Sequence, residues 1–167
     1  MSLIDEQMLK DYMTPIPGGV YLPYHPSHLD NFTGIYSYGS EQMSDQDRKR
    51  YINYQSQCGP AVSVFIDNHI VCMFGMVNVW TGVGEAWALF TDEARKYPLA
   101  MTKGAISFFD IVTILFRLHR LQITVKKKDK RAVRWAKALG FVEEGLMKAY
   151  SADKEDTYMM RRFEWVD

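Results

Sequence analysis

Up to about residue 60 the apolar residues keep no steady period. "TPIPGGVYLPYHPS" holds four prolines and two glycines, which predicts turns and at most one short strand around Val20–Tyr24. Ser27 is placed to cap a short helix, and "SDQDRKRYINYQSQ" reads as a polar helix starting after Ser44. From Ala61 the pattern changes. "AVSVFIDNHIVCMFGMVNVW" is rich in β-branched and aromatic residues and is broken by Asp67 and Asn68, residue types that tolerate the turn of a tight hairpin. Two antiparallel strands follow, with Gly75 marking a bulge or bend in the second. "GEAWALF" at 84–90 is a third strand, after the turn residues Thr81 and Gly82. Ala100, Met101, Ile106, Phe109, Val112, Ile114, Phe116 and Leu118 then cover most of the surface of a buried helix over 100–118. "HRLQITV" is a short strand, "DKRAVRWAKAL" a helix stopped by Gly140, and two last strands at 141–151 and 156–165 flank the polar turn "SADKED".

From residue 61 the order is therefore strand, strand, strand, helix, strand, helix, strand, strand. A strand–helix–strand unit within antiparallel pairings implies an α/β fold, a mixed and mostly antiparallel sheet with helices on both faces. A ligand is expected where two neighbouring parallel strands leave a crevice at their carboxyl ends. That place is the end of "GEAWALF", just before "RKYPLAMTKGAISFF".

Composition changes this picture little. The 167 residues, 47% hydrophobic and 14% aromatic, suit a single domain, with 1–60 as an irregular or helical N-terminal part and 61–167 as the sheet. Twenty basic residues balance twenty acidic ones, so bulk attraction to nucleic acid or an anionic membrane is not indicated. The start "MSLIDEQMLK" lacks the basic and apolar regions of a signal peptide, and cytoplasm is the expected compartment. The most apolar segment, "AISFFDIVTILF", is shorter than the roughly 20 residues that cross a bilayer. Cys58 and Cys72 stand at no metal-ligand spacing and read as two reduced thiols.

"DKRAVRWAKALGF" resembles the N-x-x-A-x-x-x-Y-x-x-x-G-F signature of the GCN5-related N-acetyltransferases, the GNAT superfamily. Ala132, Gly140 and Phe141 match in register, Asp129 replaces the asparagine, and Ala136 stands where a tyrosine often serves as general acid. The resemblance implies that acetyl-CoA is the acyl donor, lying between two splayed strands with its pyrophosphate on the backbone amides that open the next helix. Helix N-termini carry unpaired N–H groups and the positive end of the helix dipole, which suits that anion. The implied acyl-CoA contacts are Leu89 and Phe90 at the strand end, then Arg95, Lys96, Tyr97, Pro98, Leu99, Ala100 and Lys103, with Trp135 on the later helix. Pro98 takes the place of a glycine in the family's loop and removes one donor. The other reading of the segment is a buried helix opened by Pro98 beside a solvated Arg95.

Glu85 matches in position the glutamate that many such enzymes use as base; as an ordinary strand-end carboxylate it would face solvent. Tyr150, taken to lie on the sixth strand of the family's order, is the substitute acid, or else an aromatic packed in a sheet. His25 and His28 in a proline-rich loop lack a third ligand, so no metal site is assigned. The basic stretch from Arg117 to Lys137 is a solvated face or a phosphate-binding one; nucleic acid is disfavoured because aromatics other than Trp135 are missing from it. "GEAWAL" and "RLQITV…AVRWAKALGFVEEG" resemble the divergent GNAT branch of tailed bacteriophages, which implies work in the host cytoplasm or with the virion, and a bacterial host protein as partner. A second function class is a catalytically inactive GNAT-fold module gripping a protein through Tyr12, Tyr21, Tyr24, Tyr36, Tyr38, Tyr51 and Tyr54.

Overall fold

A computed structural model describes residues 4–32, 34–35 and 44–162. In chain order the elements are α1 (Glu6–Tyr12), β1 (Gly19–Pro23), β2 (Gly34–Ile35), α2 (Asp45–Gln57), β3 (Ala61–Ile66), β4 (His69–Trp80), β5 (Val83–Thr91), α3 (Pro98–Leu115), β6 (Arg120–Lys126), α4 (Lys130–Ala138), β7 (Val142–Met147) and β8 (Thr157–Arg162). The strands form one mixed sheet in the order β1-β3-β4-β5-β6-β8-β7, with the two-residue β2 attached to β5. All pairs are antiparallel except β5 with β6. The α/β class, the mostly antiparallel sheet and the element order from Ala61 are as the hydrophobic pattern predicts.

The β3–β4 hairpin turns through Asp67 and Asn68 with φ of 50° and 64°, the left-handed pair that a two-residue loop requires. Gly75 does not bulge. It pairs regularly with Ala61 and Trp87, and its missing side chain makes room for the Trp87 indole, which lies over it. The irregularities fall instead at Val64/Phe65 and Asn78/Trp80. The buried helix opens at Pro98 and ends at Leu115, earlier than the pattern suggested, because Arg117 turns left-handed with φ 50°. The strand expected over 141–151 stops at Met147, so Tyr150 lies in the connection to β8. The last strand is described to Arg162, and the remainder of its expected span lies outside the described residues. The pattern gave no sign of α1, whose N-terminus is capped by the Asp5 carboxylate accepting from the Met8 amide at 2.8 Å.

Helices α1, α3 and α4 cover one face of the sheet, around Phe74, Phe108, Phe109 and Phe141. The other face carries α2 and a short turn at Pro26–Leu29, packed through Ile52, Leu29 and Phe32 on Met73, Trp87 and Leu89. His25 and His28 cap that short turn reciprocally, and His28 also bonds to the Ser63 hydroxyl at 2.8 Å. Much of the basic stretch is matched by the acidic segment after it: Lys126 with Asp153, Lys128 with Glu155, Lys137 with Glu143 and Arg120 with Glu144.

Candidate functional site

Among the described residues, the one parallel pairing in the sheet is short. Val83, Gly84 and Glu85 of β5 pair with Arg120, Leu121 and Gln122 of β6, and beyond that register the strands part. Each keeps its outer partner: β5 continues along β4 to Phe90, and β6 along β8 to Lys126. Between them opens a cleft of about 890 Å³, lined from both faces of the sheet. Among the described residues, β2 closes the far end of the β5 edge by pairing Gly34 with Thr91 and Ile35 with Phe90. The open edge of β5 is thus Ala86 to Leu89.

Strand alternation gives this cleft two walls. Ala86, Ala88 and Phe90 face α3 and α4, where the rings of Phe90 and Trp135 stand edge to face with centroids 5.1 Å apart. Trp135 also donates to the Thr102 hydroxyl at 3.1 Å, tying α4 to the first turns of α3. Glu85 and Trp87 face α2, which brings Tyr51, Tyr54 and Gln55 to the same wall.

Glu85 is half-buried at the apex where the strands separate, and its Oε2 accepts from Gln122 Nε2 at 2.9 Å. Gln122 Oε1 accepts in turn from Arg120 Nε at 2.8 Å, and Arg120 forms two 2.8 Å hydrogen bonds to Glu144. Arg120 and Arg161 hold the Glu144 carboxyl below its ordinary range, chiefly through the Arg120 hydrogen bond. Tyr51, on the same wall as Glu85, responds to that carboxylate: burial pushes its phenol up, and the charge of Glu85 adds to the effect.

At the other end of the cleft, Pro98 opens α3 and no side chain caps it. The amides of Tyr97 and Met101 are bonded, to Ala94 O at 3.0 Å and Tyr97 O at 2.9 Å. The N–H groups of Leu99 and Ala100 have no acceptor inside the helix, so the open donors are these two rather than the whole run from Tyr97 to Met101. Of the expected acyl-CoA contacts, Phe90, Arg95, Pro98 and Trp135 line the cleft, as do Glu85 and Tyr150. Leu89 does not; alternation turns it into the core under α2. Lys96 reaches Glu93 at 4.0 Å, Tyr97 and Ala100 pack on the core, Lys103 is exposed, and the Leu99 side chain is 74% exposed, so these side chains are not part of the wall. Ala136 does lie in the wall and brings no hydroxyl.

Three residues of the site escaped the sequence reading. Trp87 was accessible to it, since period two puts it on the face of Glu85. Gln122 left a weaker signal, a polar residue inside an apolar strand. Tyr51 was named in that reading only among the interface tyrosines, because only the packing of α2 against β4 brings it near the cleft.

Among the solved structures that share this fold are three acetyltransferases. One is a chimera of the Vibrio cholerae spermidine N-acetyltransferase SpeG with hSSAT, at TM-score 0.71 and 15% identity, covering 87% of this chain and 95% of that one. The second is a ribosomal-protein-S5-alanine acetyltransferase from Vibrio fischeri, at TM-score 0.69 and 15% identity, covering 92% and 98%. The third is a GNAT-family acetyltransferase from Bacillus anthracis, at 0.68 and 14%, covering 87% and 95%. The chain has the GNAT fold. In the GNAT order β5 and β6 are the fourth and fifth strands, whose separation the resemblance implied. No family model matches the sequence, and no curated protein sequence matches it. The likeness to a phage branch therefore rests on the local sequence pattern alone.

Proposed function

We propose that this chain is an N-acetyltransferase that takes acetyl-CoA as donor and a primary amine as acceptor. The observation that carries it is the opening of the β5–β6 pair directly after Glu85, which leaves one cleft reachable from both faces of the sheet. The residues present fit the donor: the open edge from Ala86 to Leu89 offers unpaired backbone groups, and the amides of Leu99 and Ala100 with the Arg95 guanidinium suit a pyrophosphate. Acetyl-CoA, when bound, supplies an acetyl group activated as a thioester. Glu85, oriented by Gln122, takes the proton released from the ammonium of the acceptor. Apolar Phe90, Trp135 and Phe141 exclude water from the α3–α4 wall. Tyr150, half exposed in the β7–β8 connection, lines the cleft and would offer the departing thiolate the hydroxyl that Ala136 lacks.

That same Ala136 favours a second reading, a GNAT-fold module that binds a protein without catalysis. The tyrosines enlisted for such an interface are dispersed, however: Tyr21 is buried and donates to Thr14 O at 2.7 Å, Tyr24 bonds to Asn53, and Tyr51 and Tyr54 line the cleft. Tyr36 and Tyr38 lie outside the described residues. Calorimetry with acetyl-CoA, run beside an assay of thiol release with amine acceptors, separates the readings. The expected result is binding well below about 1 mM and a loss of roughly 10²–10⁴ in kcat for Glu85→Gln. Binding without turnover selects the module; no binding at all removes the donor.

A further inference from the structure

The basic stretch from Arg117 to Lys137 divides between two uses. Arg120, Lys126, Lys128 and Lys137 meet carboxylates. Arg131 does not: it is exposed, has no ion-pair partner among the described residues, and is the one basic residue of α4 that lines the cleft. With Ala132, Trp135, Ala136 and Leu139 it forms the stripe that helical spacing presents to the cleft. Its level along the cleft follows from two hydrogen bonds. Trp135 Nε1 donates to Thr102 Oγ1 at 3.1 Å, and Thr102 Oγ1 donates to Pro98 O at 2.8 Å. Arg131 lies one turn before Trp135, as Pro98 lies one turn before Thr102. Because β5 and β6 are parallel, the helices that follow them return in the same sense. Arg131 therefore stands level with Pro98, across the gap from the open amides of Leu99 and Ala100. The N-terminus of α4 is closed, since Asp129 accepts from the Ala132 amide at 3.0 Å. Lys126, which also lines the cleft, is held by Asp153 at 2.8 Å. The mouth thus carries two unpaired guanidiniums on separate elements, Arg95 ahead of α3 and Arg131 on α4.

We propose that Arg131 binds the phosphate monoester on the ribose of the donor, while Arg95 and the α3 amides take the pyrophosphate. The assignment rests on the transferase reading of the cleft, in which the donor is a CoA thioester. CoA carries its anions in two groups with a ribose between them. Packed helices stand about 8–10 Å apart, so an anion seated at the start of α3 leaves the second group to the facing helix. A guanidinium presents two parallel N–H donors to a phosphate. Arg131 is in this way a specificity-determining residue, separating CoA from the same molecule without its ribose phosphate.

The test is calorimetry of the full chain with CoA and with 3′-dephospho-CoA at low ionic strength, where exposed pairs are least screened. CoA is expected to bind about 10-fold more tightly, the worth of one charge-assisted hydrogen bond. In R131Q the two affinities are expected to converge, and in R131K, which keeps the charge, most of the preference remains. R95Q is expected to weaken both ligands and leave their ratio alone. Equal affinities in the unsubstituted chain, or a preference that survives in R131Q, would each overturn the assignment. So would equal weakening of both ligands by R131Q, which places Arg131 on the pyrophosphate. Arg131 is exposed, so R131Q removes no core packing. Binding of neither compound to the unsubstituted chain would remove the donor and this assignment together, an outcome distinct from the others, in which both compounds bind.

Discussion

Gln122 accepts from Arg120 and donates to Glu85, so its amide has one orientation that satisfies both neighbours. Arg120 is itself fixed by the two-pronged bond to Glu144. The carboxylate at the apex of the cleft is therefore steered by a chain of side chains that begins on the far strand β7. Gln122→Leu is expected to lower kcat/KM about 10-fold by releasing Glu85 from its orientation. Gln122→Glu should cost more, because it sets one carboxylate against another; steady-state kinetics of the two variants gives the order. Glu85 was reached in the sequence through the family resemblance, by its position at the start of the strand before the loop. Its partners were not, because a sheet joins residues 37 positions apart and no local period records such a meeting.

The β4–β5 pair shows how one residue type serves two ends. A glycine inside a strand ordinarily signals a bulge, yet Gly75 keeps its register because the space it leaves is filled by the indole of Trp87. Gly75→Ala is expected to cost about 1–3 kcal/mol in urea unfolding, through displacement of that indole. The β7–β8 connection answers to acid. A hydrogen bond from the Lys126 ammonium, then one from the Ser151 hydroxyl, hold the Asp153 carboxyl at about 2. Its folded value lies below its unfolded one, so the stabilisation it gives is present above about pH 4 and is lost as pH falls towards 2. Asp153→Asn should accordingly lower Tm at pH 7 and by much less near pH 2, as scanning calorimetry at the two pH values would register. At this scale the long strands and α3 were legible from their periods. The seven-residue α1 was not, because two turns of mostly polar sequence carry too short a pattern to separate from a loop.

For the whole molecule, the sheet is nearly continuous among the described residues, and the proposed donor site lies where β5 and β6 part. Binding there bridges β5, α3 and β6, so it stabilises the fold by mass action. Acetyl-CoA at 100 times its Kd is expected to contribute about 2.7 kcal/mol, a rise in Tm of about 5–10 °C for a chain of this size, and Arg95→Ala should reduce that rise at the same concentration. The crevice after "GEAWALF" was legible from strand order alone; that it opens to both faces was not, since this depends on where β6 leaves β5. The alternation of β5 also constrains how the protein can change. Substitutions at 86, 88 and 90 alter one wall and those at 85 and 87 the other, so each pocket is free to drift under mutation without disturbing its neighbour. Loss or gain of a single residue at the start of β5 would instead exchange the two walls, sending the carboxylate to the aromatic donor side. Lineages descended from this chain should therefore vary β5 by replacement and keep its length.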